Sequence, residues 1–163
     1  MSKRVLVTGG RGFTGHYMVA ELKQAGYEVF YTGTQVSTSD AVYQADLQDI
    51  TRLRELFIQL KPDIVIHLAA MAFVAHNDVN AFYNVNLIGT RNLLEAIYAS
   101  GKIPECILLA SSANIYGNQI GGVLSESTLP APANDYAVSK LAMEHMAKVW
   151  MDRLPIVIAR PFN

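Results

Sequence analysis

Tyr136 and Lys140 stand four residues apart in Tyr136-Ala-Val-Ser-Lys140, which sets a phenol and an ammonium on one face of a helix, where i and i+4 side chains meet. A phenol titrates near ~10, so it exchanges a proton at neutral pH only if its phenolate is stabilised, and a neighbouring cation does that by Coulomb attraction. Each pKa unit moved is worth ~1.4 kcal/mol. The same spacing arises in any amphipathic helix whose lysine lies along an apolar flank. A third group separates the two readings. Ser111 and Ser112 end an apolar run that reads as a strand, and ligands of open α/β sheets sit outside the carboxyl ends of strands. A hydroxyl, a phenol and an ammonium can therefore converge on one reacting oxygen.

A second constellation lies near the start, in Val5-Leu-Val-Thr-Gly-Gly-Arg-Gly-Phe-Thr-Gly15. An apolar β-type run feeds a glycine cluster that opens a helix at Phe13. Gly9 and Gly10 can take positive φ for a tight turn, Gly12 lets a pyrophosphate approach the backbone, and Gly15 lets the helix pack close to the strand. The anion then rests on free helix N–H groups. Gly10, Gly12 and Gly15 read as GxGxxG, whereas Gly9, Gly12 and Gly15 read as GxxGxxG. Either spacing predicts a dinucleotide, and the spacing alone also suits a plain glycine-rich loop.

The elements that must hold these groups follow from periodicity. Strands are expected at about Arg4–Thr8, Glu28–Thr32, Val42–Asp46, Ile64–Ala70, Cys106–Ser111 and Pro155–Arg160. Helices are expected at Phe13–Ala25, stopped by Gly26; at Asp49–Leu60, capped by Asp49 and stopped by Pro62; at Phe82–Ser100; and at Asp135–Met151, capped by Asp135. Residues 33–40 read as turn-rich, and the stretch from Ser112 to Asn134 as a loop. The Ile64–Ala70 run scarcely alternates, so it must be buried on both faces, as in a parallel sheet covered by helices. These features predict a single α/β domain over residues 1–163, a doubly wound, Rossmann-type parallel sheet in the order 3-2-1-4-5-6.

Composition narrows the function classes. The 163 residues are 51% hydrophobic with a formal net charge of -1 and no basic run, which argues against nucleic acid or an anionic membrane as partner. Apolar runs such as 64–75 are too short to cross a bilayer. Cys106 is the only cysteine, so no intrachain disulfide forms, and a cytoplasmic, reducing setting with a buried, inert thiol is expected. His67 reads as a hydrogen-bonded core histidine. His16, His76 and His145 share no metal spacing, and no metal site is expected.

The ordered motifs Thr8 to Gly15, Asp46-Leu47, His67-Leu-Ala-Ala70, Asn86-Leu-Ile-Gly-Thr90, Ser111 to Gly117, Tyr136 to Lys140 and Arg160-Pro-Phe-Asn163 resemble the extended short-chain dehydrogenases/reductases. That family comprises NAD(P)-dependent nucleotide-sugar epimerases, dehydratases and reductases. The resemblance covers essentially the whole chain. It implies Ser112 as the hydroxyl holding the substrate oxygen, Tyr136 as acid/base, and Lys140 as the cation that lowers the Tyr136 pKa and holds the nicotinamide ribose. It also implies cofactor contacts from Gly9, Arg11, Gly12, Phe13, Gly15, Asp46, Leu47, Leu68, Ala69, Ala70, Asn86, Tyr136, Lys140 and Pro161. Asp46 and Leu47 would meet adenine, unless Asp46 simply belongs to a solvated loop. Asn86 would support the active-site helix, and Ser112 and Asn163 would contact substrate.

Dehydratases of the family carry an acid just after the catalytic hydroxyl, where this chain has Ala113 and Asn114. Reductases and epimerases remain, and Ser112-Ala-Asn-Ile-Tyr-Gly117 together with Arg160-Pro-Phe-Asn163 most resembles reductases of 4-keto-6-deoxy nucleotide sugars of the GDP-4-keto-6-deoxymannose type. A 4-epimerase and a non-catalytic cofactor-binding scaffold are the alternatives. No carboxylate follows the second strand in Tyr31-Thr-Gly-Thr-Gln35, and Arg11 sits inside the glycine turn, which favours NADP over NAD. The resemblance further implies a homodimer through the two long helices. It also implies a carboxyl-terminal substrate lobe that this chain does not cover.

Overall fold

The structure, a computed structural model, describes residues 2–33, 41–72, 78–118 and 122–162. Strands β1 (Arg4–Thr8), β2 (Glu28–Gly33), β3 (Val42–Gln44), β4 (Ile64–His67), β5 (Cys106–Ala110) and β6 (Ile156–Ala159) form one sheet in the order β3-β2-β1-β4-β5-β6. Every pairing is parallel. Alternation along β1 sends Leu6 to one face and Val5 and Val7 to the other. Helix α1 (Phe13–Gln24) covers the second face through Met18, Val19 and Leu22. Helices α2 (Ile50–Leu60), α4 (Thr90–Ala99) and α5 (Asp135–Lys148) cover the first through Leu53, Leu56, Phe57, Leu93, Ile97 and Met143. The expected strand order and helices on both faces are present.

Local chemistry accounts for the element ends. Helix α1 closes with Gly26 at φ +85°, the Tyr27 N–H on the Leu22 carbonyl and the Gly26 N–H on the Lys23 carbonyl, which is a Schellman end. Asp49 caps α2 by accepting the Arg52 N–H at 2.9 Å, as expected.

Several boundaries differ from the sequence reading. Strand β4 stops at His67: the Leu68 N–H still donates to the Thr8 carbonyl at 3.1 Å, and the backbone of Ala69 then passes against Gly9 of the glycine turn. Strand β3 stops at Gln44, and α5 stops at Lys148. The cap of α5 is Asn134, whose side chain accepts the Ala137 N–H at 2.8 Å; Asp135 is already helical and accepts the Tyr83 hydroxyl. The expected helix 82–100 begins earlier, as α3 (Asn80–Tyr83), and passes through a π-helical turn at Asn84–Gly89 before α4. Such turns are rare and concentrate at functional sites. A 3-10 turn, Ala113–Tyr116, interrupts the loop after β5. Cys106 is only half-buried.

Candidate active site

The register puts Thr8 beside His67, and His67 beside Leu109, so the carboxyl ends of β1, β4 and β5 form one edge. The glycine turn leaves that edge from β1. Gly9 sits at φ +71°, and a Cβ there would stand 2.6 Å from the Ala69 nitrogen, so the turn lies directly on the strand end that passes it. Gly10 does not take positive φ; its lack of a side chain makes room for Tyr31 on β2 instead, since a Cβ would stand 2.5 Å from the Tyr31 Cβ. At Gly15 a Cβ would meet the Gly9 carbonyl oxygen, which lets α1 seat against the turn. Gly12 starts α1 without a side-chain cap, leaving the first N–H groups of the helix turned outward.

A groove of about 650 Å³ runs from this turn, lined by Gly9, Arg11, Gly12, Gly33, Asp46, Leu47, Ala69, Ala70 and Met71. Seven of the expected cofactor residues therefore share one cavity. Phe13 follows as the first, exposed residue of α1. Leu68 packs with the core on the α1 face. The Asp46 carboxylate accepts the Gln48 N–H at 2.9 Å. Leu47 is buried, with its carbonyl held by Asn92 at 3.0 Å. The Arg11 side chain crosses the end of β2, its Cδ 2.9 Å from where a Gly33 Cβ would stand.

The other half of the site lies at the end of β5. Lys140 is 4% exposed and donates to the Ala110 carbonyl at 2.8 Å. Burial pushes its pKa down to about 8. Ser112, two residues beyond Ala110, is buried and accepts the Asn114 N–H at 3.2 Å. Its own hydrogen remains available to a ligand oxygen. Tyr136 lies one helical turn before Lys140, half-buried, its ring edge-on to Phe82 at 6.2 Å. Pro161 accepts the Ala113 N–H at 3.0 Å and so pins the segment after Ser112. Asn163 lies outside the described residues.

Asn86 occupies the π turn, 1% exposed. It accepts the Met71 N–H at 2.8 Å and donates to the Met71 carbonyl and the Ser139 hydroxyl, each at 2.9 Å. It therefore joins the groove wall to the helix that carries Tyr136 and Lys140.

Residues 5–163 match the NAD dependent epimerase/dehydratase family. The chain belongs to that family. It is 37% identical over 160 residues to the GDP-6-deoxy-D-talose 4-dehydrogenase of Aggregatibacter actinomycetemcomitans, covering 98% of this chain and 52% of the relative. With the GDP-6-deoxy-D-mannose reductase of Pseudomonas aeruginosa it shares 36% over 169 residues, covering 100% and 53%. A crystal structure from Burkholderia cenocepacia, provisionally named an epimerase, superimposes with a TM-score of 0.90 at 52% identity, over 99% of this chain and 55% of that one. The UDP-glucose 4-epimerase of Thermus thermophilus, solved with NAD, gives 0.86 at 34% identity, over 96% and 54%. The chain thus spans about half the length of the curated relatives it matches.

One pair of charges next to the site is not legible as a pair in the sequence. Glu144, a further turn along the Tyr136–Lys140 face, accepts from two of the three Arg160 guanidinium nitrogens, Nε at 2.9 Å and Nη2 at 2.6 Å. Arg160 also donates to the Tyr116 hydroxyl at 2.7 Å and lies over the Tyr116 ring. Burial alone would raise the Glu144 pKa, but the Arg160 guanidinium holds the carboxyl below its usual range. The spacing 136, 140, 144 on one helix face was the available signal; the partner at 160 comes only from the fold.

Among the described residues no group of His, Cys, Asp or Glu is arranged to hold a metal, and no helix is long and apolar enough to cross a membrane.

Proposed function

We propose that this protein is an NAD(P)-dependent oxidoreductase acting on a nucleotide-activated sugar, reducing a 4-keto-6-deoxy sugar of the GDP-4-keto-6-deoxymannose type. The observation that carries this reading is the end of β5. There a buried ammonium is held on the last strand carbonyl, two residues before the Ser112 hydroxyl and one turn beyond the Tyr136 phenol. The groove suits a dinucleotide, since Gly12 leaves the α1 N-terminus without a side chain and a Cβ at Gly9 would collide with the opposite wall.

In that reading Gly9, Gly12 and the start of α1 at Phe13 hold the pyrophosphate, with Gly15 seating the helix. Asp46 and Leu47 border the adenine, and Ala69, Ala70, Leu68 and Pro161 frame the rest. A bound reduced dinucleotide supplies a hydride to the sugar carbonyl carbon. Tyr136 then delivers its proton to the carbonyl oxygen, so that an alcohol forms, while Ser112 donates a hydrogen bond to the same oxygen. Lys140 stabilises the phenolate left behind; Ala110 takes one of its three donors, and the others remain for the ribose and the tyrosine oxygen. Neither Ala113 nor Asn114 carries a carboxylate to drive water loss, which disfavours dehydration.

The GDP-sugar names of the two curated relatives support the GDP assignment. The likeness to a UDP-glucose 4-epimerase supports a second reading, 4-epimerisation, in which no cofactor is consumed overall. Arg11 across the end of β2 favours NADPH over NADH, because a guanidinium binds a 2′-phosphate and no acid stands on β2 after Glu28 to repel one. We also assign Asn163 to the substrate and the protein to the cytoplasm. A homodimer through α3–α4 and α5 is supported by exposed Ile88, Tyr98 and Val138. The test is to mix purified protein and reduced cofactor with a panel of 4-keto nucleotide sugars, following absorbance and product identity. Reduction of a GDP-linked ketone supports the first reading. Epimer formation without net oxidation favours the second, and cofactor binding with no turnover leaves only a scaffold.

A further inference from the structure

His67 is 2% exposed at the carboxyl end of β4, and its hydrogen bonds go to neither Ser112 nor Lys140. Both ring nitrogens are hydrogen-bonded: Nδ1 to the Thr8 hydroxyl at 2.5 Å and Nε2 to the Thr90 hydroxyl at 2.9 Å. The proton positions follow from counting hydrogens, because a hydroxyl has only one to give. Thr90 donates its hydrogen to the Asn86 carbonyl at 2.7 Å, so towards His67 it accepts, and Nε2 must carry a proton. Thr8 accepts the Ala69 N–H at 3.4 Å and keeps its own hydrogen for Nδ1. A neutral ring protonated at Nε2 satisfies every partner. An imidazolium would leave the Thr8 hydrogen facing a second donor, and it would add a charge near Lys140. Burial first, and the Lys140 cation second, push the His67 pKa down to about 3.

The two threonines belong to different parts of the site. Thr8 is the residue before Gly9, and its neighbour Ala69 lines the groove. Thr90 follows the π turn and holds the carbonyl of Asn86, whose side chain clamps both backbone groups of Met71 and reaches Ser139. Ser139 donates in turn to the Tyr136 carbonyl at 2.7 Å. One unbroken hydrogen-bonded path therefore runs Thr8, His67, Thr90, Asn86, Ser139, Tyr136, and the imidazole is the link in it that joins the two halves of the site.

We propose that His67, held as the neutral Nε2–H tautomer, is a positioning residue that sets the Asn86 turn, and through it the groove wall at Met71 and the Tyr136 helix, relative to the glycine turn. It rests on the proposed function only in taking the groove for a dinucleotide site. The ring acts through a directional donor and acceptor, so an apolar ring of similar volume does not replace it. Phenylalanine fills the space but leaves the Thr8 hydrogen and the Thr90 lone pair without partners. Glutamine keeps a donor near Nε2 and so restores the Thr90 link.

The test combines spectroscopy and binding on the purified protein. Long-range 1H–15N correlation of the wild-type imidazole is expected to show one protonated nitrogen, Nε2, and an unprotonated Nδ1 at neutral and mildly acidic pH. Titration with NADPH and NADH is expected to give a dissociation constant about tenfold weaker in His67→Phe and in Thr90→Val. The double variant should be no weaker than either alone, and His67→Gln should recover most of the loss. A proton on Nδ1, a charged ring, or a folded His67→Phe that binds both cofactors as the wild type does would overturn the proposal. If His67→Phe does not fold, the wild-type spectrum together with the glutamine and valine variants still decides. No sugar enters these measurements. Failure to reduce any sugar, with the tenfold shifts intact, would therefore count against the proposed function alone.

Discussion

In the proposed function Tyr136 bears the chemistry at the scale of single residues. Its phenol stands one turn before the buried Lys140 ammonium, the position from which it would pass a proton to a carbonyl oxygen. Tyr136→Phe is expected to abolish turnover and leave the cofactor dissociation constant nearly unchanged, as steady-state kinetics and cofactor titration would establish. Ser112→Ala removes one oxygen-positioning hydrogen bond, worth ~1–3 kcal/mol, and should slow turnover by roughly ten- to a hundred-fold. Lys140 adds a pH signature. Burial lowers its folded pKa from 10.5 to about 8, so the cation is present below that value and is lost as pH rises through it. Accordingly kcat/KM should fall on the alkaline side with a midpoint near 8. A rate constant flat through that range would show that the charge on Lys140 is not used. The types and spacing of Tyr136, Lys140 and Ser112 were legible in the sequence. The partners of His67 were not, because Thr8 and Thr90 meet it only through strand register and the packing of the π turn.

Among the elements, α5 is fixed at both ends and in the middle by different means. Asn134 caps it, Asn86 holds it through Ser139, and Glu144 ties it to the residue after β6. Glu144→Gln should leave Arg160 without its carboxylate. Breaking a buried pair costs about 3–5 kcal/mol, and because the Arg160 side chain keeps 20% of its surface exposed, the lower end of that range is expected. Urea denaturation of the variant checks it, and a loss under about 1 kcal/mol would mean that the pair behaves as a surface salt bridge. Strand and helix types were readable from periodicity, and the Asp49 cap and the Gly26 stop from residue chemistry. The π turn was hidden, since one extra residue in a turn barely disturbs a helical pattern. Asn134 and Asp135 are both good caps by type, and only the backbone at Asn134 decides between them. Strand β4 read too long because Leu68, Ala69 and Ala70 are apolar for another reason, contact with the glycine turn and the groove.

Taken whole, the molecule sets the groove beside β1, β2 and β4 next to Ser112, Tyr136 and Lys140 at the end of β5 and on α5, along one edge of the sheet, and the proposed function takes the first for the cofactor and the second for proton transfer. The proposed cofactor choice belongs to this scale, since it rests on Arg11 from one turn lying over the end of another strand. Arg11→Ala should weaken NADPH binding about tenfold and barely alter NADH, measured as the ratio of dissociation constants. An equal effect on both cofactors would mean that the guanidinium points to water. Acid stability is also a global property. An unfolded histidine takes up a proton near 6.5, whereas folded His67 resists it down to about 3, so the unfolded state binds more protons in that window. Stability is full above 6.5 and declines as pH falls towards 3, and His67→Gln should flatten that limb in thermal melts. The most direct test of the central claim follows the hydride itself. Reduced cofactor carrying deuterium at the transferable C4 position is incubated with purified protein and a GDP-linked 4-keto-6-deoxy sugar, and the product is examined by mass spectrometry and NMR. Deuterium at sugar C4, one per cofactor oxidised in the wild type and none in Tyr136→Phe, is the predicted result; a sugar product without deuterium, or equal transfer by the Tyr136→Phe variant, would contradict it.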